Sequence, residues 1–409
     1  MTTEEIFPKE WNPLKLSDLM GSNDISLDRG KVISSIMLNS NPGIYPVYSS
    51  SAKNNGLFGL WGDFLVDEEL ITWSVDGGGY FFYRPKHKFS VTNVCGLMRV
   101  NSEKINIKYL YYLLSWQHSL QKYDYVDKAH PSVISKRYVI PQLKRKEQDQ
   151  IAEILSNLDT AISSTKLLVD KYQCIKRGLL HELLSRGIDE KGNLRSKKTH
   201  KFKDSPAGRI PIEWESHSIQ KLFNMNLGKM LNKSARIGDN QFVYLANKNV
   251  QWGYFDFEDL QKMNFTENEI KKYSLRKGDI LMCEGGEVGR CSIWKEEKEN
   301  CFYQKAIHRL RCKEDNLIIP EYFVEYFKRF IEIGKLKDYV TQTSIAHLTK
   351  EKLEIIPIAV PNYDEQQRIL KVTSKLSLII SSKSHEYSKL VSLRTGLMSD
   401  LLSGKVRIK

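Results

Sequence analysis

Two stretches of the chain carry the same hydrophobic rhythm. Between Glu147 and Ser185 the apolar positions Ile151, Leu155, Leu158, Ile162, Val169, Tyr172, Leu179 and Leu183 recur in steps of three and four, with Thr165 and Lys176 in the weak places. Between Glu365 and Ser403 the series is Ile369, Leu376, Ile380, Tyr387, Leu390, Leu397 and Leu401, with Thr373, Lys383 and Arg394 as its polar members. Such steps keep one stripe on one side of a helix and make the seam of a coiled coil. Each stretch predicts a rod of roughly 58 Å at ~1.5 Å per residue. That is far longer than an ordinary globular helix. Two matching seams in one chain predict that the rods pack on each other.

The sequence ahead of each rod reads as mixed α and β. In the second half Gln241 to Leu245, Asp279 to Cys283, Arg290 to Trp294 and Ala306 to Cys312 are β-branched or alternating runs. Pro320 then opens a helix expected over Glu321 to Lys337, with Tyr322, Phe323, Tyr326, Phe327, Phe330, Ile331 and Ile333 along its apolar side. In the first half Leu70 to Val75, Tyr80 to Tyr83 and Thr92 to Val100 read as strands. A helix over Lys108 to Lys122 follows, with Tyr109, Leu110, Leu113, Leu114 and Trp116 facing inward. These aromatic stripes read as core.

The two halves are copies. Glu147 to Ser185 aligns with Glu365 to Ser403 without a gap at an offset of 218, and fourteen positions are identical, among them Glu147-Gln148 with Glu365-Gln366 and Gly178-Leu179 with Gly396-Leu397. Fainter matches run further back: Trp11 with Trp214, Asp76-Gly77-Gly78 with Glu284-Gly285-Gly286, and Tyr109-Leu110 with Tyr322-Phe323. The offset rises steadily along these landmarks, as loop insertions in a duplicated domain require. Between the halves, Arg186 to Pro211 is basic and rich in glycine, and reads as a solvated connector.

Charge narrows the function. The chain of 409 residues has a net charge of +13 and a pI near 9.2, which suits an acidic partner such as nucleic acid. No secretory leader or membrane-length apolar run is visible, and the six cysteines form no CxxC pair, which together point to the cytoplasm. There is no GxxxxGK[ST], GxSxG or HExxH, and no paired prolines of an amino-methyltransferase motif. These absences favour a binding subunit over an enzyme.

Small, polar and basic residues collect in loops, where such side chains supply phosphate and base-edge contacts. In the first half the candidates are Tyr48, Ser49, Ser50, Lys53 and Asn54, then Gly77 and Gly78, then Lys128, His130, Ser132, Lys136 and Arg137. In the second half they are Lys229, Lys233, Lys248, Asn249, Gly285, Gly286, Arg290, Thr343, Ser344, His347 and Lys350.

Over nearly its whole length the chain resembles the specificity subunits of type I restriction–modification systems. The resemblance rests on the duplicated layout and on the run Phe202-Lys203-Asp204-Ser205-Pro206-Ala207-Gly208-Arg209-Ile210-Pro211 followed by Trp214. It rests also on Tyr45-Pro46-Val47-Tyr48-Ser49, on the Gly-Gly loops, and on Ile358-Ala359-Val360-Pro361 leading to Glu365-Gln366. The first half departs from this pattern, having Leu143-Lys144-Arg145-Lys146 where the second has Pro361. The resemblance implies an α+β fold with two mixed α/β target-recognition domains, at 1–146 and 212–364. Two conserved helices, one over 147–187 and one within 365–409 followed by a C-terminal tail, would form an antiparallel coiled coil, with a basic linker at 188–211. It implies that each domain reads one half of a split site in double-stranded DNA, and that the helices set the gap. No catalytic site, cofactor or metal is implied in this chain. S-adenosylmethionine, ATP and magnesium would belong to two methyltransferase subunits and to endonuclease/translocase subunits. The alternatives are a targeting domain of a single-chain or other phage-defence system, and a coiled-coil scaffold that binds protein and not DNA.

Overall fold

A computed structural model of the chain describes residues 7–76, 78–121, 129–342 and 346–408. They divide into two compact units. Unit 1 holds 1–168 with 383–409, and unit 2 holds 169–382. Each unit thus contains one globular half and a part of both long helices.

Unit 1 is built on a six-stranded sheet. Its strands are β1 (Ile25–Arg29), β2 (Tyr45–Tyr48), β3 (Leu57–Trp61), β4 (Val66–Ser74), β5 (Phe81–Val91) and β6 (Cys95–Val100), in spatial order β1-β6-β4-β5-β2-β3. All pairs are antiparallel except β2 with β5, where Val47 lies opposite Ser90. Helix α1 (Ile107–Ser119) covers the sheet, burying Tyr109, Leu110, Leu113, Leu114 and Trp116 with Ile71, Trp73 and Met98. A short helix α2 (Pro131–Arg137) follows. Strand β5 runs well past the expected Tyr83. Pro85 and the polar Lys86-His87-Lys88 hid its continuation, since their side chains lie on the wetter part of the strand.

Unit 2 repeats this order with one interruption. Its strands are β7 (Phe223–Leu227), β8 (Gln241–Leu245), β9 (Gln261–Asn264), β10 (Ile280–Cys283), β11 (Cys291–Ile293), β12 (Phe302–Tyr303) and β13 (Ile307–Cys312). They form one sheet β7-β13-β10-β11 and another β9-β8-β12. The long β5 of unit 1 corresponds to β11 and β12 together, split by the segment 294–301. The parallel pair recurs as β8 with β12. The helix expected over Glu321 to Lys337 is shorter than its stripe suggested. As α4 it spans Pro320–Glu332, because Gly334 at φ +79° turns the chain out of the helix.

The two long helices are α3 (Arg145–Arg186) and α6 (Tyr363–Leu402); between α4 and α6 lies the short α5 (Lys350–Glu354). None of the seam positions named above is exposed. In unit 1, Ile151 and Leu155 near the start of α3 share a core with Met398, Leu401 and Leu402 at the end of α6. In unit 2, Leu183 and Leu184 at the end of α3 share a core with Ile369 at the start of α6. The helices are therefore antiparallel. Fully burying a leucine of this kind is worth about 1.5–3 kcal/mol.

The repeated Glu-Gln doublet has a structural reason. Gln148 accepts a bond from the Asn106 N–H at 2.8 Å and donates to the Leu143 carbonyl at 3.0 Å. Gln366 accepts from the Ile319 N–H at 2.8 Å and donates to the Leu317 and Pro361 carbonyls, both at 3.0 Å. Each glutamine thereby fixes the loop that enters α1 or α4. Each glutamate receives a bidentate arginine from the segment that follows the other long helix. Arg407 binds Glu147 at 2.7 and 3.0 Å, and its guanidinium lies over Trp11. Arg195 binds both oxygens of Glu365, which also accepts the Ile188 N–H at 3.0 Å. A side chain on Gly404 would strike Trp11, and one on Gly187 would strike Trp214, so both helix exits need glycine there.

Arg195 corrects the reading of the connector as merely solvated. Its side chain is 7% exposed and Glu365 is fully buried, while Lys191, Lys197, Lys198 and Lys201 stay in water. Phe202–Ser205 and Gly208–Pro211 form an antiparallel hairpin. Removing one partner of a buried ion pair leaves the other uncompensated at a cost of about 3–5 kcal/mol. The Arg407–Glu147 pair, with the arginine 48% exposed, falls in the range of about 0.2–1 kcal/mol. Denaturant unfolding should therefore show Glu365→Ala losing several times more stability than Glu147→Ala; equal losses would contradict this account of the clasp.

Candidate nucleic-acid interface

In unit 1 three of the predicted loop groups converge. The loop after β2 is tied to the end of β4, because the Ser74 hydroxyl donates to the Ser50 carbonyl at 2.7 Å. Beyond Ser74 lies the glycine turn, where Gly78 has φ +92°. The Ala129 N–H donates to the Val75 carbonyl at 2.8 Å, and the Trp73 indole donates to the Ala129 carbonyl at 2.8 Å. That places His130 and α2 beside the turn. His130 caps α2 through its carbonyl, which accepts from Val133 and Ile134. Ser132 and Lys136 are exposed on α2, and Arg137 is half-buried.

The loop after β2 has an unusual backbone. Asn54, Asn55 and Gly56 all adopt positive φ, at 49°, 52° and 78°. Asparagine and glycine are the residues that tolerate this region. Lys53 and Asn54 are exposed, and Ser49 is held inside by Thr92, whose hydroxyl bonds its Oγ at 3.1 Å. Tyr48 bonds His87 Nε2 at 3.2 Å through its hydroxyl.

Unit 2 assembles the same three groups by the same kinds of tie. The Asn247 side chain donates to the Gly285 carbonyl at 3.2 Å, and the Cys283 thiol, at the end of β10, contacts the Asn247 carbonyl at 3.7 Å. The Leu348 N–H donates to the Glu284 carbonyl at 2.9 Å. Gly285 pairs with His347, and a side chain on Gly285 would meet the His347 ring. Gly286 at φ +72°, Lys248 and His347 are exposed around this junction. Lys350 opens α5 and pairs with Glu354 at 3.5 Å. Lys233 is exposed on a separate loop.

Some predicted contact residues are used within the fold. Lys229 donates to Glu269 at 2.6 Å and to the Asn264 carbonyl at 2.7 Å, over the ring of Phe265. Asn249 is buried, accepting from the Ala246 N–H and donating to the Asp256 carbonyl, both at 2.9 Å. Arg290 spends its guanidinium on Glu287 and on the Asn247 carbonyl. Gly77, Lys128, Thr343 and Ser344 lie outside the described residues. Sequence reading missed Arg84, Ser74 and Asn247, which hold the loops without being exposed. Only the Asn54-Asn55-Gly56 run was a visible signal of left-handed backbone.

Burial raises the thiols of Cys95 and Cys301 to about 12 and of Cys312 to about 11, so these are inert core groups. Among the described residues no three His, Cys, Asp or Glu side chains cluster to hold a metal, and no helix is long and apolar enough to cross a membrane.

The duplicated halves match known proteins. The family model described as type I restriction modification DNA specificity domain matches residues 8–169 and again 211–390. The chain belongs to this specificity family. It is 25% identical to the type I restriction enzyme MjaVIII specificity subunit of Methanocaldococcus jannaschii, over 98% of this chain and 94% of that one. It is 40% identical to the MpnII specificity subunit of Mycoplasma pneumoniae, over 21% of this chain and 26% of that one. Its fold is that of the type I restriction–modification S subunit from M. genitalium, with a TM-score of 0.58 at 17% identity and 95% of each chain covered. A chain from a type I R-M system studied for complex assembly and conformational transition gives 0.57 at 12% identity, covering 96% of this chain and 98% of that one. As a specificity-family member, the chain carries its two matched segments on the two copies of the sheet.

One buried histidine supports the second junction. His308 is fully buried, and its Nε2 donates to the Leu348 carbonyl at 2.9 Å. Burial holds its pKa below the ordinary 6.5. The native state therefore binds this proton less readily than the unfolded chain. The stability involved is present above pH 6.5 and drains away as pH falls below it toward the folded value. Denaturation midpoints followed between about pH 5 and 7 should fall toward acid, and His308→Gln should flatten that slope. An unchanged slope would contradict the assignment.

Proposed function

We propose that this chain is the DNA-reading subunit of a type I restriction–modification complex, with one recognition surface per unit and no chemistry of its own. The observation that carries this is the repeated junction. In both units the loop after the parallel strand, the glycine turn and the segment before a short helix are bonded together, leaving Lys53 and Asn54 exposed in unit 1 and Lys248 and His347 exposed in unit 2. Two such surfaces in one basic chain suit two separate stretches of duplex, each read by a few side chains near a glycine-rich backbone.

The long helices supply the second half of the function. Their paired seam suits a spacer that keeps the gap between half-sites constant. Apolar side chains also remain exposed on them: Leu167 and Leu393 in unit 1, and Leu378 and Ile379 in unit 2. Exposed leucines on helices suit docking of protein partners. Those partners are two methyltransferase subunits, which bring S-adenosylmethionine. Endonuclease subunits bring ATP and magnesium where cleavage accompanies methylation.

Binding of the reconstituted specificity–methyltransferase complex to duplexes of varied gap tests the reading. Affinity should fall steeply with salt, and widening the gap by a few base pairs should weaken specific binding at least tenfold toward the non-specific level. Gap-independent affinity would contradict the spacing role.

A further inference from the structure

Each recognition surface contains an arginine held behind its loops, and the one in unit 1 has no counter-ion among the described residues. Arg84 leaves β5 with 1% exposure and has no carboxylate partner among the described residues. Its Nε donates to the Thr72 hydroxyl at 3.0 Å, its Nη2 donates to the Asn55 carbonyl at 2.9 Å, and its guanidinium carbon sits 3.6 Å from the centre of the Tyr48 ring. Nη1 is buried and finds no hydrogen-bond partner among the described residues. A buried arginine without a counter-ion is costly, so its place needs a reason. Arg290 precedes β11, in the hairpin that follows the second glycine turn. It is 15% exposed, pairs with Glu287 at 3.0 Å, and donates to the Asn247 carbonyl at 2.8 Å.

The two arginines do the same thing. Each lies beyond the glycine turn, Arg84 within β5 and Arg290 just ahead of β11, and each holds a backbone carbonyl in the loop that follows the parallel strand. The near strand adds a second tie in both units, from Ser74 to Ser50 and from Cys283 to Asn247. In unit 1 the carbonyl held is that of Asn55, in the middle of three consecutive positive-φ residues. Backbone in that region persists only where its surroundings over-determine it. Lys53 and Asn54 ride on that loop, and Lys248 rides on its counterpart.

We infer that Arg84 and Arg290 are positioning residues for base reading, each locking the reading loop of one recognition surface to its glycine turn. Discrimination between bases requires donors held within about half an ångström. Loosening one lock should therefore blur one half-site and leave the other intact. This inference rests on the reading of the chain as a bipartite DNA reader.

The test is methylation-sensitive sequencing of genomic DNA from cells making the full chain with its partner subunits, as wild type or as Arg84→Lys, Arg84→Gln, Arg290→Lys or Arg290→Gln. Lysine keeps the charge but loses the planar fork that spans two acceptors. Recovery of each variant with its partners reports folding; if Arg84→Gln is lost, Arg84→Lys and the two Arg290 variants carry the test. The ratio of methylation at the wild-type motif to that at single-base variants should fall about tenfold at one or more positions. The Arg84 variants should affect one half-site and the Arg290 variants the other. An unchanged motif, a uniform fall in methylation with discrimination intact, or equal blurring of both half-sites would each overturn the inference. A wild-type chain that gives no gapped motif would instead overturn the reading on which it rests.

Discussion

The constraint on which the rest depends is the repeated knot at the start of each long helix, where a bidentate arginine–glutamate pair, buried in unit 2 and more exposed in unit 1, sits beside the glutamine that ties the next loop. A long helix can tether a globular domain only if its ends are fixed, because helix termini leave unsatisfied backbone groups and fray. Here the first turn of one helix is fixed by the tail of the other, through Glu147 with Arg407 and Glu365 with Arg195. The neighbouring glutamine carries the constraint onward into the loop that opens α1 or α4. Tryptophans Trp11 and Trp214 are buried beside the two glycine exits, so the beginning of each half is bound into the same knot. The clasp therefore sets helix register, loop position and domain orientation within its unit at once.

From that frame the sheet delivers three loops to one place. The central hairpin carries the glycine turn, the parallel strand carries the loop beside it, and the short helix is drawn in by a backbone bond. None of these ties is strong singly, at about 0.5–1.5 kcal/mol for a neutral hydrogen bond. Together they convert mobile loops into a defined surface while the exposed side chains remain free to vary. A duplicated frame with variable tips is what a reader of two different short sequences requires.

The frame was legible in the sequence and the tips were not. The heptad seam and the 218-residue offset carry directly into α3 and α6, since hydrophobic period and helix geometry are the same information. The Glu-Gln doublet was visible, but its role was not, because Arg195 and Arg407 lie in tails with no pattern of their own. In the globular halves, strands that alternate or are fully apolar stood out. The continuation of β5 past Pro85 did not. Lys229 and Asn249 look like any other surface lysine and asparagine in a loop; only tertiary contacts show them bonded inward. Arg84 sits among aromatic and basic residues whose burial no local pattern reveals.

One chain reading two separated blocks of DNA leaves a gapped methylation motif. The most direct measurement is the complete adenine and cytosine methylation map of DNA from otherwise identical cells with and without this gene. One motif should disappear with the gene, made of two defined blocks around a gap of constant length. A gene-dependent motif that is continuous, or a map that the gene does not change although the same cells make type I methyltransferase subunits, would contradict it.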